Sequence, residues 1–279
     1  MYSIIITTHN RDAHLLNLLK GLQYCKEPFE TIIVRMNEAK QDLSNFDDLL
    51  ITQIELKNDI HQFPLALARN SGAKAARYDR LIFLDVDCIP DPDLIQDYHI
   101  QFEADETPIY MGQVYYLPPL DLSNFDFDKI RDNASKNQKR QYITEFRQEE
   151  TDRRLFWTLN FGIHKNTFDK IGGFDEQFYG YGAEDTDFSF TAKQKDVPLY
   201  WFKGGKAYHQ HHGGYKIPLN NFNDIVRNAQ LFKDKWQIWS MVKWLEPFRD
   251  QGYISWDVDG DKITILKQPT KEEIEQARL

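Results

Sequence analysis

Cysteine is scarce in this sequence: Cys25 and Cys88 are the two among 279 residues. A disulfide framework is not expected, and a reducing compartment suits the chain. No run of about 18 apolar residues occurs, so no membrane-spanning helix is expected. The N-terminal stretch Met1-Tyr2-Ser3-Ile4-Ile5-Ile6 has no basic residue, and its apolar run stops at Thr7. That pattern suits a first strand and not a signal peptide. A cytoplasmic location follows as the expectation. A peripheral contact with the inner face of a membrane stays open, because Trp236, Trp239 and Trp244 suit either a core or an interface. Excess positive charge is also lacking: 43 Asp and Glu stand against 34 Lys and Arg, for a formal net charge of −9. This argues against a nucleic-acid binder, whose affinity comes mainly from basic residues on phosphate. It weakens electrostatic adhesion to anionic lipid as well. An acidic chain that binds an anionic ligand must therefore arrange positive charge locally.

What is present is a globular composition, with 41% hydrophobic and 28% charged residues. The length suits one large α/β domain or two small ones. In the first hundred residues, short apolar runs alternate with amphipathic stretches. Tyr2–Thr8, 31–34, 50–56 and 80–84 read as strands, and 12–24 and 64–77 carry apolar residues at helical spacing. This βαβ rhythm predicts a mostly parallel sheet flanked by helices. Ligands of such sheets bind at the carboxyl ends of the strands. Further on, 109–117, 156–164, Leu199–Phe202 and 207–211 read as strands and 184–195 as a helix. The charged segment 121–154 reads as helical or mobile, either a lid or acceptor platform or a solvated excursion. Residues 222–244 read as one helix, 253–257 and 262–266 as a hairpin, and 272–278 as a closing helix.

Three clusters carry chemistry. Asp85-Val86-Asp87 ends the strand Leu81-Ile82-Phe83-Leu84, where alternate residues can aim two carboxylates at a hard cation. The tripeptide pattern recurs at Asp91, Asp126, Asp185 and Asp257, where solvated turns or helix starts suffice; its place at a strand end sets Asp85 and Asp87 apart. Gly172-Gly173-Phe174-Asp175-Glu176 is followed by Gly180-Tyr181-Gly182-Ala183-Glu184-Asp185-Thr186-Asp187, a glycine loop with sugar-stacking aromatics and three acids at a helix start. His209-Gln210-His211-His212 gathers three of the eight histidines. On a regular strand His209 and His211 share a face; a bend at His211 brings His209 and His212 together instead. Arg11 and Arg69 offer planar forks suited to phosphate, although each alone also suits a surface ion pair. Trp157 and Asn160 precede the glycine loop, and Trp157 is expected in the core with one edge toward the site.

In this order the motifs resemble glycosyltransferases of the GT-A fold. The first half is similar to the inverting family 2. The segment 172–187 resembles the galactosyltransferase-type segment of β-1,4-galactosyltransferases, polypeptide N-acetylgalactosaminyltransferases and bacterial chondroitin polymerases. The resemblance covers roughly residues 2–215, an expected GT-A domain with a nucleotide-binding half (1–117) and an acceptor and catalytic half (118–215). Residues 216–279 form a helical and hairpin extension. The resemblance implies a UDP-sugar donor, with UDP-Gal or UDP-GalNAc favoured, and Mn²⁺ or Mg²⁺. It implies a glycan or lipid-linked glycan acceptor and a place in bacterial surface polysaccharide synthesis. It assigns donor contacts to Thr8, Arg11, Asn37, Arg69, Asp85, Asp87 and Asn160, and the metal to Asp87 with His209 or His212. It assigns the base to Asp185, a supporting acid to Glu184, and sugar stacking to Tyr181 and Trp157. Arg35 and Met36 stand where family 2 usually has two acids. The rival readings are a non-catalytic glycan-binding relic and a sugar nucleotidyltransferase. The latter normally needs a Gly-rich basic loop after the first strand, which Thr7-Thr8-His9-Asn10-Arg11 is not.

Overall fold

The computed structural model describes residues 1–58, 63–138 and 140–279. The first strand, β1 (Tyr2–Thr8), is buried along its whole length. Its isoleucines alternate: Ile4 and Ile6 enter one apolar cluster and Ile5 the other. A strand covered on both faces reads as a continuous apolar run, as this one does. Helix α1 (Asp12–Leu22) returns the chain to β2 (Phe29–Met36), which leads to β3 (Ile51–Leu56). Helix α2 (Leu65–Ala75) then crosses to β4 (Arg80–Asp85). β1, β2, β3 and β4 pair in parallel, in the order β3-β2-β1-β4. The order reverses between β1 and β4, the switch point where ligands of such sheets bind. Thr7 lies opposite Asp85 in that register.

After β5 (Cys88–Pro90) and α3 (Leu94–Ala104), the expected single strand over 109–117 divides into β6 (Ile109–Met111) and β7 (Val114–Tyr116). The break is at Gly112, whose amide hydrogen-bonds the Tyr98 hydroxyl and the Asn160 carbonyl. There the chain leaves one sheet for another. The segment 121–154 is not mainly helical. Among its described residues it holds one short α-helix, α4 (Phe127–Asn133), two short strands, β8 (Ser135–Lys136) and β9 (Arg147–Glu149), and the start of a 3-10 turn, Arg153–Leu155. The expected strand over 156–164 begins only at Asn160, as β10 (Asn160–His164). Then come α5 (Lys165–Ile171), α6 (Glu184–Gln194), β11 (Leu199–Phe202) and β12 (Ala207–His209). The large sheet runs β3-β2-β1-β4-β10-β6-β11-β9, and a small one runs β5-β12-β7-β8.

The expected helix over 222–244 is two helices, α7 (Phe222–Trp236) and α8 (Val242–Asp250). Gln237 and Met241 both adopt positive φ between them, which ends a right-handed helix. The break sends Trp239 into the extension's own core with Phe222, Leu245 and Trp256. Trp236 packs elsewhere, toward α6. The hairpin is present as β13 (Ile254–Ser255) against β14 (Thr264–Ile265), followed by α9 (Lys271–Gln276). Among the described residues no helix is long and apolar enough to cross a membrane. Cys25 and Cys88 are both free thiols.

Candidate active site

The small sheet brings Asp87 and the histidine cluster together. β12 pairs antiparallel with β5, His209 opposite Cys88, and the Gln210 amide donates to the Asp87 carbonyl at 2.7 Å. The strand ends at His209. The bend left open by the sequence is real, and both His209 and His212 reach Asp87, with His211 exposed. His209 Nε2 is 3.5 Å from Asp87 Oδ1, and His212 Nε2 is 3.3 Å from Oδ2. One ligand atom from each of the three lies within 4.8 Å of the others. Tyr116 stacks on the His209 ring at 4.8 Å, fixing its plane. Burial raises the Asp87 carboxyl, but the His212 hydrogen bond and the charges of His209, His212 and Arg11 outweigh it and hold it below its ordinary range. Burial lowers His209, whereas the hydrogen bond to Asp87 raises His212.

The second cluster converges on Arg69. This α2 guanidinium is 4% exposed. It donates to Glu184 Oε1 at 3.1 Å, to Thr158 Oγ1 at 2.7 Å and to Asp85 Oδ1 at 3.4 Å. Phe174 covers one face at 5.3 Å. Arg69 thus links the strand-end acids to the glycine-loop acids. Its fork is already filled by carboxylates, so it is a bridge between them and not an open phosphate fork. Burial, then the charges of Asp87 and Glu184, push Asp85 up to about 6 against the pull of Arg69. Burial and the charge of Glu184 push Asp185 up to about 7, against a hydrogen bond from the Thr186 amide. Glu184 Oε2 and Thr8 Oγ1 are buried with no hydrogen-bond partner among the described residues. Buried polar atoms are normally satisfied, so both oxygens are exceptions to the packing around them.

The other assigned residues divide. Arg11 precedes α1, is half-buried and makes no ion pair among the described residues, so it stays available as a cation beside Asp87. Asn37 stands exposed just past β2, where its Oδ1 accepts from the Asn58 amide. Arg35, in place of the usual acid, is taken up by Asp12 and Glu38. Asn160 is a correction: it is fully buried, and its amide is spent on the Tyr98 hydroxyl and the Gly205 carbonyl. With no exposed atom it braces the sheet and does not contact a donor. Trp157 is half-buried, adjoining Thr158, and lies outside the strand. Tyr181 is 43% exposed. Asp187, the last acid of the loop, is structural: Lys235 and Trp236 of α7 bind its carboxylate at 2.9 and 2.7 Å.

Sequence reading missed the back of the glycine loop. Asn228 of α7 is 1% exposed and donates to the carbonyls of Tyr179, Tyr181 and Gly182. Asp224 accepts from the Tyr181 amide, and Arg227 donates to the Tyr179 carbonyl. Gly180 has φ 73°, and a Cβ there would strike the Asp224 carboxylate. The extension therefore clamps the loop that presents Tyr181 and leads into Glu184 and Asp185. The available signal was a polar Asn228 within the apolar stripe of Ile225, Ala229 and Phe232.

A mostly parallel, helix-covered sheet with acids at its switch point is the architecture of glycosyltransferases with the GT-A fold. Residues 3–199 match the family described as "Glycosyltransferase like family 2", and the chain belongs to it. The hyaluronan synthase of Pasteurella multocida is 29% identical over 240 residues, covering 75% of this chain and 24% of that protein. The chain thus spans about a quarter of that relative's length. Among solved structures, S. aureus TarS 1-349 in complex with UDP-GlcNAc superposes with a TM-score of 0.57 at 14% identity, over 84% of this chain and 66% of that one. GalNAc-T7 with UDP, GalNAc and Mn²⁺ gives 0.58 at 14% identity, over 90% and 54%.

Proposed function

We propose that this chain is a metal-dependent inverting glycosyltransferase that moves a hexose or N-acetylhexosamine from a UDP-sugar to a glycan hydroxyl. The observation that carries this reading is the convergence of Asp87, His209 and His212 beside an acid pair, Glu184 and Asp185, bridged to Asp85 by Arg69. One carboxylate oxygen and two imidazole nitrogens fit a divalent ion, and the nitrogens favour Mn²⁺ over the harder Mg²⁺. Such an ion, when bound, supplies positive charge to the departing diphosphate. Arg11 adds a second cation on the same side. This answers how a chain of net charge −9 holds an anionic nucleotide.

Asp185 takes the proton from the acceptor hydroxyl as that oxygen attacks the anomeric carbon. Its elevated proton affinity suits a base working near neutral pH, a contribution of typically ~10²–10⁴ in rate. Glu184, anchored through Oε1 to Arg69, keeps Oε2 for a sugar hydroxyl. Tyr181 offers a ring to a sugar face. A single displacement turns an α-linked donor into a β-linked product, and no covalent nucleophile is needed. UDP-Gal and UDP-GalNAc are the favoured donors. The polysaccharide synthase among the relatives supports a growing glycan as acceptor and a role in surface polysaccharide synthesis. The test is UDP release from a panel of UDP-sugars, with and without Mn²⁺, followed by NMR of the new linkage. One donor turned over only with Mn²⁺ and a β-linked product are expected. Metal-independent release or an α-linked product overturns the reading.

A further inference from the structure

The turn that carries His209 and His212 is fastened by a residue the proposed chemistry does not use. Gln210 is 5% exposed. Its backbone amide donates to the Asp87 carbonyl at 2.7 Å. Its side chain points the other way, to α1: Nε2 donates to the His14 carbonyl at 3.0 Å, and Oε1 accepts from Asn17 Nδ2 at 2.9 Å. The His14 carbonyl can only accept, which fixes the two ends of the Gln210 amide. One residue thus joins β5, α1 and the segment that holds both histidines. A buried polar group satisfied at both ends holds a single arrangement, because any other leaves a donor or acceptor unpaired.

The two histidines are not equally supported. His209 ends β12, pairs with Cys88 of β5 and carries Tyr116 on its ring, and its carbonyl accepts from the Leu117 amide at 2.9 Å. His212 lies past the strand end. Gly213 and Gly214 follow it, with open space around Gly213. Support resumes at Gly214, whose carbonyl accepts from the Leu279 amide at 2.9 Å. On the near side the turn rests on α1. Besides the Gln210 bonds, His14 Nε2 is 3.4 Å from the His211 carbonyl, and the His14 and His212 rings meet edge to face at 6.3 Å. Close packing contributes less, because a cleft of about 140 Å³ opens along that seam, lined by His14, Asn17, Leu117, Leu120, Gln210 and His211. The placement of His212 Nε2 at 3.3 Å from Asp87 therefore depends on the polar bonds of Gln210. The seam is open to water, so groups released by a substitution there are resolvated and the fold tolerates their loss.

We propose that Gln210 is a positioning residue for the divalent-ion site: by tying the turn to α1, it sets His212 against Asp87. This rests on the metal-dependent glycosyltransferase reading above. The test measures UDP bound at equilibrium dialysis across a series of Mn²⁺ concentrations, with a urea midpoint for each variant and no turnover required. The quantity compared is the Mn²⁺ concentration at half-saturation. Gln210→Met keeps the length of the side chain and removes both bonds to α1. It should raise that concentration by about tenfold, the scale on which partners behind a metal ligand act. Asn17→Ala, on α1 and clear of the ligands, should raise it by less. A double-mutant cycle separates positioning from general loosening. The effect of Gln210→Met should vanish in a His212→Ala background and persist in a His209→Ala background. An unchanged Mn²⁺ requirement in folded Gln210→Met overturns the proposal. So does an effect that persists in full on both backgrounds, because it then does not pass through His212. Should Gln210→Met fail to fold, Asn17→Ala is carried through the same cycle under the same two criteria. Failure of the underlying reading looks different: a wild type whose UDP binding does not respond to Mn²⁺ sinks the metal site and this inference with it.

Discussion

Replacing Arg69 with methionine tests the bridge between the two acid clusters. The substitution keeps a long apolar stem and removes the fork that serves Glu184, Asp85 and Thr158. Breaking a buried ion pair by removing one partner costs ~3–5 kcal/mol, because the other charge is left uncompensated. Asp85 is 28% exposed and Glu184 only 9%, so solvent softens the first share. The lower end, about 3 kcal/mol, is the expected loss. For a domain of this size that is a fall in Tm of roughly 6–10 °C. The loss should depend on pH. Asp85 and Asp185 are held above their ordinary values, near 6 and 7. The folded state therefore binds more protons than the unfolded one, and stability declines as pH rises through that window. Without Arg69 both carboxyls rise further, so the penalty grows from about pH 5 to about pH 8. Thermal and urea denaturation at the two pH values read the difference. Arg69→Lys, which keeps charge without the fork, should fall between. An equal loss at both pH values, or a loss below about 1 kcal/mol, refutes the bridge.

Three further outcomes follow from the same geometry. The turnover rate should climb with pH through about 7 as Asp185 loses its proton; a flat pH profile across neutrality contradicts its role as base. His209→Ala and His212→Ala should each weaken Mn²⁺-dependent UDP binding by at least about tenfold, the cost of losing even an outer partner of a metal. Calorimetry that finds either variant unchanged removes that histidine from the site. Asn228→Ala should cost ~1–3 kcal/mol, since it removes the donor shared by three part-buried carbonyls. It should also lower kcat/KM by loosening the loop before Glu184, and an unchanged urea midpoint contradicts the clamp.

Much of this was legible in the sequence because it is local. The Ile-rich β1, the helical spacing after Asp12 and the acid pair closing β4 depend on near neighbours, and they placed the ligand edge of the sheet. The C-terminal hairpin was legible for the same reason. What escaped reading depends on partners distant in sequence. Nothing near Arg69 announces that Glu184 and Asp85 will fill its fork. Asn160 has the chemistry of a donor ligand, yet Tyr98 and Gly205 consume its amide. The bend that lets both His209 and His212 reach Asp87 comes from pairing with β5 and the Gln210 contact to the Asp87 backbone. Chain breaks at Gln237 and Met241 are backbone choices of non-glycine residues, which no composition signal marks.

The central claim is that Asp185 draws the proton from an acceptor hydroxyl while Asp87 and its histidines serve the diphosphate. It is tested most directly by measuring Mn²⁺-dependent UDP binding and UDP release side by side in the wild type and in Asp185→Asn. The account predicts equal UDP affinity and a fall in release of at least ~10² in the variant. Near-normal turnover by Asp185→Asn, or a wild type that binds UDP and releases none from any donor, would contradict it.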